Sequence, residues 1–134
     1  MYNKPVIFCV DDEIIIALGI LRGIERHFGS TFCYEVTFDP TDGLRKLAEL
    51  KEVGAPVLLI LSDWTMPKMT GAEFLAQARQ IYPTVHTALV TAHPDVWVND
   101  QLTECNDLCE VVFAKPIELP ALIKHIESLV TNSK

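Results

Sequence analysis

Four apolar runs in this chain each end at polar residues of the kind that bind phosphoryl groups. The polar residues are Asp11 and Asp12 after the first run, Asp63 after the second, Thr91 after the third and Lys115 after the fourth. Carboxylate oxygens bind hard divalent cations, whereas a hydroxyl and an ammonium donate hydrogen bonds to phosphoryl oxygens. Brought together, these side chains would form a site for phosphoryl transfer.

The runs themselves resemble strands that would bring the polar residues together. They cover residues 6–10, 57–62, 88–90 and 111–114, and segments of helix length separate them. Short runs rich in β-branched residues are typical of buried parallel strands. Because ligands of open α/β sheets bind beyond the carboxyl ends of the strands, we expect the polar residues to meet at one edge.

The three aspartates predict a metal site. Two carboxylates about 4 Å apart repel each other by ~4 kcal/mol at an effective dielectric constant of about 20, so three converging acids need a cation among them. Mg²⁺ suits them because it takes one or two protein carboxylates and keeps several waters. Taken singly, Asp11 and Asp12 also fit a helix N-cap with an acidic first turn, and Asp63 also fits a turn. Those separate explanations do not account for the shared position at strand ends.

Thr91 and Lys115 supply the hydrogen-bond donors of the predicted site. A hydroxyl at Thr91 would donate to a phosphoryl oxygen, although a threonine at a strand end is also an ordinary structural residue. Lys115 follows an apolar stretch, where a buried ammonium needs a carboxylate or phosphate partner. Pro116 permits a cis peptide bond after Lys115.

The order of elements predicts an α/β fold with a five-stranded parallel sheet, doubly wound and flavodoxin-like, (βα)5. The second strand is expected at 34–38. Asp39 before Pro40 is a good N-cap for the second helix, and the segment from Thr70 to Glu73 matches a capping box for the third.

Apolar residues at helical spacing predict which helix faces are buried. The segment 95–107 should hold the fourth helix, although its apolar residues are less periodic. The expected core residues are Ile14, Leu18, Leu21, Ile24 and Phe28 in the first helix, Leu44, Leu47 and Ala48 in the second, Phe74, Leu75, Ala78 and Ile81 in the third, and Leu122, Ile123, Ile126, Leu129 and Val130 in the last.

Composition narrows the class of protein. The chain has 134 residues, the length of one domain spanning 1–134, and its net charge of −7 argues against direct binding of nucleic acid. Its first residues show no signal-peptide pattern, and no apolar run is long enough to cross a bilayer. Its four cysteines lack metal-ligand spacing and predict reduced thiols in a cytoplasmic protein; they are Cys9, Cys33, Cys105 and Cys109.

Four motifs together make the chain resemble the receiver domain of two-component response regulators, similar to the chemotaxis regulators. The resemblance extends from the first strand to the fifth helix. The motifs are Val10-Asp11-Asp12-Glu13, Ser62-Asp63-Trp64-Thr65-Met66-Pro67-Lys68-Met69-Thr70-Gly71, Val90-Thr91-Ala92 and Lys115-Pro116-Ile117.

The resemblance implies a role for each site residue. Asp63 would accept a phosphoryl group from a phosphohistidine, as a signalling phosphoacceptor that catalyses only its own phosphorylation and dephosphorylation. Mg²⁺ would be held by Asp11, Asp12, Asp63 and the backbone carbonyl of Thr65. The phosphoryl oxygens would contact Lys115, the Thr91 hydroxyl and the Ala92 amide.

The resemblance also implies partners. The phosphoryl donor would be a histidine kinase or a histidine phosphotransfer protein, and the output would go to a downstream target or effector domain, none of which lies within residues 1–134. The expected output surface is formed by the fourth helix, fifth strand and fifth helix, and the same surface would serve a homodimer. No membrane partner is expected.

The chain departs from the family pattern near this output surface. The family often places Tyr or Phe three residues before the lysine as a rotating switch, but the residue here is Val112. Phe113 comes one residue later and should point to the opposite face of the strand. Thr65 and His93 flank the expected approach of water to the phosphoryl group. The lifetime of the phosphorylated state can therefore not be inferred from other members of the family.

Two other classes share parts of this pattern. A phosphohydrolase of the haloacid-dehalogenase type also uses an aspartate and Mg²⁺, but its nucleophile follows the first strand and a second acid follows two residues later. Here Asp63 follows the third strand and residue 65 is threonine. A flavodoxin-like cofactor binder needs a phosphate loop after the first strand, where this chain has the acidic sequence Asp11-Asp12-Glu13.

Overall fold

A computed structural model of the chain describes residues 3–92 and 110–132. The described strands form one parallel sheet in the order β2-β1-β3-β4-β5. Their bounds are Val6–Val10 (β1), Cys33–Thr37 (β2), Val57–Asp63 (β3), His86–Thr91 (β4) and Val111–Ala114 (β5).

Helices follow the first three strands and the fifth. A single 3₁₀ turn, Gly29–Thr31, lies between the first helix and β2. The predicted fourth helix, in 95–107, lies outside the described residues. The helices are Ile14–Phe28 (α1), Pro40–Glu52 (α2), Gly71–Ile81 (α3) and a C-terminal helix, Leu119–Asn132, which corresponds to the predicted fifth helix.

The sheet separates two apolar cores, which confirms the doubly wound architecture. In β1, Phe8 and Val10 point into one core, and Ile7 and Cys9 point into the other. The first core lies beneath α2 and α3 and includes Leu47, Leu50, Phe74 and Leu75. The second lies beneath α1 and the C-terminal helix and includes Ala17, Ile20, Ile24, Leu122 and Ile126.

Both predicted helix caps are present. The Asp39 carboxylate accepts a hydrogen bond from the Asp42 backbone N–H at 3.0 Å, at the start of α2. At the start of α3, Thr70 Oγ1 accepts from the Glu73 N–H at 3.1 Å and Glu73 Oε1 accepts from the Thr70 N–H at 2.8 Å. These bonds fix where the chain turns from the sheet edge into each helix.

The predicted apolar stripe of α1 is wrong at its first residue. Ile14 is 51% exposed, and the buried stripe runs through Ala17, Ile20, Leu21 and Ile24 instead. The first turn of α1 starts beyond the carboxyl end of β1, so no sheet lies beneath it to bury an apolar side chain.

Three smaller predictions also need correction. In the C-terminal helix the buried face runs through Leu122, Ile126 and Leu129 and leaves Val130 at its edge, 38% exposed. The second strand is Cys33–Thr37 rather than 34–38, because Val6 pairs with Cys33 at the start of the ladder. In α2 Ala48 is exposed, whereas Gly43, Leu47 and Leu50 face the core. Ala48 thus lies one position away from the face that packs on the sheet.

Within residues 3–92 and 110–132, no helix is long and apolar enough to span a membrane. In the same part of the chain Cys9 is a buried free thiol and Cys33 a half-buried one. Burial and the nearby acids raise the pKa of Cys9 to about 12, so this thiol is unreactive at neutral pH. Cys105 and Cys109 lie outside the described residues.

Candidate functional site

A cleft of about 420 Å³ opens at the carboxyl edge of the sheet, where the predicted site residues lie. Asp11, which follows β1, is buried, and one of its carboxylate oxygens lies within 4.8 Å of oxygens of Asp12 and Asp63. The structure therefore brings together every residue that was predicted to bind the metal or the phosphoryl oxygens. The cleft is lined by Asp12, Glu13, Asp63, Thr65, Thr91, Ala92 and Lys115.

Strand register explains this convergence. Val10 pairs with Ser62, so Asp11 and Asp63, the next residues, lie side by side on neighbouring strands. Thr91 pairs with Ala114, which places Lys115 one residue beyond the end of the same ladder. The Lys115 N–H also donates to the Thr91 carbonyl at 2.8 Å, and the Lys115-Pro116 peptide bond is cis.

Gly71 allows helix α3 to start close to the aspartate strand. Its N–H donates to the Trp64 carbonyl at 2.8 Å, and a Cβ at this position would overlap the Asp63 carbonyl oxygen and the Leu89 side chain. The Trp64 N–H in turn donates to the Val90 carbonyl at 2.9 Å. Asp63 is thereby held between β4 and the first turn of α3.

The three aspartates form a compact group of oxygen ligands. One carboxylate oxygen from each of Asp11, Asp12 and Asp63 lies within 4.8 Å of the others. Burial, together with the charge of Asp11, raises the pKa of Asp63 to about 6, against the pull of Lys115. Burial likewise raises the pKa of Asp11. A hard divalent cation would relieve both effects, so the donor set fits such an ion.

Lys115 supplies the positive charge of the site. Its ammonium nitrogen lies 3.0 Å from Asp63 Oδ1, 3.2 Å from Asp11 Oδ2 and 2.9 Å from Glu13 Oε1. Burial alone would lower the pKa of Lys115, but hydrogen bonds to Glu13 and Asp63 hold this pKa above its ordinary value. The lysine therefore stays protonated at neutral pH.

The remaining predicted residues lie on the wall of the cleft. Thr91 is buried at the end of β4, and Ala92 and Thr65 are exposed. His93, which the sequence placed beside the expected path of water, lies outside the described residues. The Asp63 carboxylate thus lies in one opening with the Lys115 ammonium, further acids and Thr91.

Val112 and Phe113 face opposite sides of the sheet, as their adjacent positions in a strand require. Val112 packs against the first core, beneath α2 and α3. Phe113 packs against the second core, and its ring lies 5.9 Å from the His125 ring at an angle of 74°. The residue at the usual switch position is therefore a small aliphatic side chain that is half-buried.

Sequence reasoning missed the contact between Glu13 and Lys115, and the exposed apolar surface beside it. Glu13 stands next to Asp11-Asp12, but its spacing alone gave no reason to pair it with a lysine 102 residues away. Consecutive isoleucines at the start of a helix, Ile14 to Ile16, are the signal that could have indicated the exposed surface, because they cannot all lie on one buried face.

Comparison with known proteins is consistent with this architecture. Residues 7–127 match the family model of the response regulator receiver domain. The chain is 24% identical over 93 residues to the sensor kinase CckA of Brucella abortus (strain 2308), covering 69% of this chain and 9% of the kinase. It is 26% identical over 137 residues to the hybrid signal transduction histidine kinase D of Dictyostelium discoideum, covering 100% of this chain and 8% of that protein. The chain thus spans less than a tenth of either curated relative.

Solved structures with the same fold include receiver domains. A CheY-like response regulator receiver domain from Methanospirillum hungatei JF-1 superposes with a TM-score of 0.78 at 23% identity, covering 96% of each chain. The chemotaxis response regulator CheY4 of Vibrio cholerae gives 0.75 at 21% identity, covering 95% of this chain and 99% of the other. These comparisons do not support the phosphohydrolase alternative. This chain belongs to the response regulator receiver domain family of two-component systems.

Proposed function

We propose that this receiver domain is phosphorylated on Asp63 by a histidine kinase or a histidine phosphotransfer protein, in a reaction that requires Mg²⁺. The observation that carries the proposal is the position of Asp63. Its carboxylate reaches a cleft open to solvent, 3.0 Å from the Lys115 ammonium and beside two further acids. A pKa of about 6 leaves most of this carboxylate ionised at neutral pH, so it needs no separate base to act as a nucleophile.

The metal belongs to the same proposal. Asp11, Asp12, Asp63 and the backbone carbonyl of Thr65 would hold Mg²⁺, which when bound would neutralise charge on the phosphoryl oxygens. The fit rests on the donor set, since three carboxylate oxygens within 4.8 Å of one another repel in the absence of a cation. A bound metal, together with Lys115, would offset the negative charge of the site.

The transfer itself is a displacement at phosphorus. A carboxylate oxygen of Asp63 forms the new O–P bond, and the N–P bond of the phosphohistidine breaks. Its electron pair stays on the imidazole nitrogen. Lys115, the Thr91 hydroxyl and the Ala92 amide would contact the phosphoryl oxygens and offset their charge. The domain catalyses its own phosphorylation and, with water as acceptor, its own dephosphorylation.

An exposed apolar surface beside the cleft suits docking of the phosphoryl donor. Ile15 is 86% exposed, Ile14 51% and Ile16 36%. A cavity of about 230 Å³ next to them continues to Lys115, and its lining includes Gly19, Pro116, Ile117 and Leu119. Exposed apolar patches of this kind mark binding sites for proteins. The donor must approach this face, because its phosphohistidine has to reach Asp63.

The proposed function also includes an output surface, a domain organisation and a location in the cell. We place the output surface on the predicted fourth helix, β5 and the C-terminal helix, and a homodimer would use the same surface. Residues 1–134 would form one receiver domain. A cytoplasmic location fits a phosphoryl group that derives from ATP.

Intact-mass measurement after incubation with acetyl phosphate and Mg²⁺ tests this proposal. The wild-type protein should gain the mass of one phosphoryl group, and hydroxylamine should remove it because an acyl phosphate is labile. Asp63→Asn should gain none, whereas the control Glu52→Gln, a substitution at an exposed acid in α2, should behave as wild type. Labelling of the Asp63→Asn variant would overturn the assignment.

A further inference from the structure

Glu13 pairs with the lysine of the site although nothing in the proposed transfer uses it. Its carboxylate accepts a hydrogen bond from the Lys115 ammonium at 2.9 Å, the shortest of the three carboxylate contacts of that nitrogen. Glu13 is also the residue directly before α1, and its backbone N–H donates to Asp11 Oδ1 at 2.9 Å. The side chain thus links the start of α1 to the end of β5.

The number of donors on the ammonium makes this link important. A lysine ammonium has three N–H donors, and in this structure three carboxylates surround it: Glu13, Asp63 and Asp11. A phosphoryl oxygen arriving on Asp63 would be a fourth acceptor. One existing contact must therefore weaken before Lys115 can donate fully to the phosphoryl group.

Burial indicates which contact weakens. The side chains of Asp11 and Asp63 are 3% and 7% exposed, so water cannot readily replace the ammonium as their hydrogen-bond partner. The Glu13 side chain is 56% exposed and can exchange the lysine for water at little cost. Glu13 is therefore the group that releases the ammonium.

We propose that Glu13 is a positioning residue that holds the Lys115 ammonium in the unphosphorylated domain and slows phosphorylation by having to release it. This inference rests on the proposed function, since it concerns the rate at which Asp63 is phosphorylated. It assigns Glu13 to Lys115 and not to the metal, although the residue adjoins Asp12. The exchange of partners at Lys115 also breaks the link between α1 and the end of β5.

The rate of phosphorylation by acetyl phosphate in excess Mg²⁺ tests the inference. In this reaction the O–P bond to Asp63 forms while the O–P bond to acetate breaks, and acetate leaves with the electron pair. Glu13→Ala should raise the maximal rate roughly two- to fivefold, the range expected for loss of a largely exposed ion pair. Glu13→Gln keeps an acceptor oxygen without the charge and should give a smaller increase. Glu52→Gln is the matched control and should leave the rate unchanged.

A double-mutant cycle with Lys115→Met separates the lysine from simple charge repulsion. If Glu13 acts by holding Lys115, Glu13→Ala should have no effect on the rate in the Lys115→Met background. An equal acceleration in both backgrounds would show that Glu13 merely repels the anionic donor, and would overturn the inference. An unchanged or slower rate in Glu13→Ala with Lys115 present would overturn it as well.

Metal affinity provides the second measurement. Mg²⁺ titration followed by Trp64 fluorescence should give the same affinity for Glu13→Gln as for the wild type, because the residue serves the lysine. A clear loss of affinity in this variant would place Glu13 among the metal ligands and overturn the inference. Failure of the inference is distinct from failure of the proposed function, in which the wild-type protein would gain no phosphoryl group at all.

Discussion

The carboxylate of Asp63 combines two properties that oppose each other. It must be ionised to act as the proposed nucleophile, yet burial and the charge of Asp11 raise its pKa to about 6. Lys115 offsets part of this cost through its contact at 3.0 Å. Without metal, the folded domain therefore carries unfavourable charge at neutral pH, and its stability should depend on pH and on Mg²⁺.

The sign of the pH dependence follows from the direction of this shift. The pKa of Asp63 is about 6 in the folded protein against an ordinary value of 3.8, so between these values the folded state binds more protons than the unfolded state. The contribution of Asp63 to the free energy of unfolding of metal-free protein should therefore fall as the pH rises from 3.8 to about 6.

Asp63→Asn removes the titrating group and should flatten this part of the curve. At pH 7, without metal, the variant should exceed the wild type in free energy of unfolding by ~1–3 kcal/mol. Urea unfolding in the presence of a chelator measures both effects, with Glu52→Gln as the control. Parallel pH curves for the variant and the wild type would contradict a raised pKa at Asp63.

At the scale of residues, most of the site could be predicted from the sequence, because the sequence shows which polar residues lie at the ends of apolar runs. Four of the residues follow apolar runs, and the register of the parallel strands then places them next to one another: Asp11, Asp63, Thr91 and Lys115. The contact between Glu13 and Lys115 could not be predicted, because it depends on how the two side chains extend across the cleft.

At the scale of elements, local signals predicted helix starts better than helix faces. The caps at Asp39 and Thr70 are encoded within four residues and are present in the structure. The buried face of α1 depends instead on where the helix sits relative to the sheet edge, which periodicity does not specify. Its first turn extends past that edge, and this exposes Ile14 and its neighbours.

Gly71 shows how closely α3 must approach the aspartate strand. Gly71→Ala should destabilise the domain by ~2 kcal/mol or more, because the added Cβ would overlap the backbone of Asp63 and the Leu89 side chain. Gly19→Ala is the matched control: its Cβ meets no atom within 4 Å, and alanine should stabilise α1 by up to ~1 kcal/mol. Thermal unfolding of both variants measures these changes in stability. Equal changes in the two variants would contradict the tight contact at Gly71.

At the scale of the whole molecule, the cleft and the cavity beside the apolar start of α1 meet at Lys115, which lines both. Transfer of a phosphoryl group from a protein should need both, whereas transfer from a small molecule should need only the cleft. The distinction gives a test of the proposed docking surface that leaves the chemistry at Asp63 intact.

Ile15→Asp should reduce transfer from a phosphorylated histidine phosphotransfer protein about tenfold or more, because it places a charge in an apolar interface. Labelling by acetyl phosphate should stay at the wild-type rate. Val53→Asp is the control, since Val53 is also an exposed apolar residue, at 56%, but follows α2. Equal transfer to wild type and Ile15→Asp would contradict docking at α1.

The output of phosphorylation should appear after β4 rather than at an aromatic switch. Thr91 is buried at the end of β4, and its carbonyl accepts from the Lys115 N–H, so the two ends move together. Val112 has no large side chain that could rotate between buried and exposed positions. We expect amide hydrogen exchange to change on phosphorylation mainly in residues 91–107, of which 93–107 lie outside the described residues. Changes centred on Phe113, with residues 91–95 unaffected, would contradict this prediction.

The central claim is that Asp63 accepts the phosphoryl group with the help of Mg²⁺, and chemical mapping of the acceptor tests it most directly. Borohydride reduces an aspartyl phosphate to homoserine, which peptide mass spectrometry can assign to a single position. After incubation with acetyl phosphate and Mg²⁺, homoserine should replace aspartate at position 63 and at no other aspartate, and a chelator should prevent this change. Homoserine at Asp11 or Asp12, or equal reduction at Asp63 with and without Mg²⁺, would contradict the account.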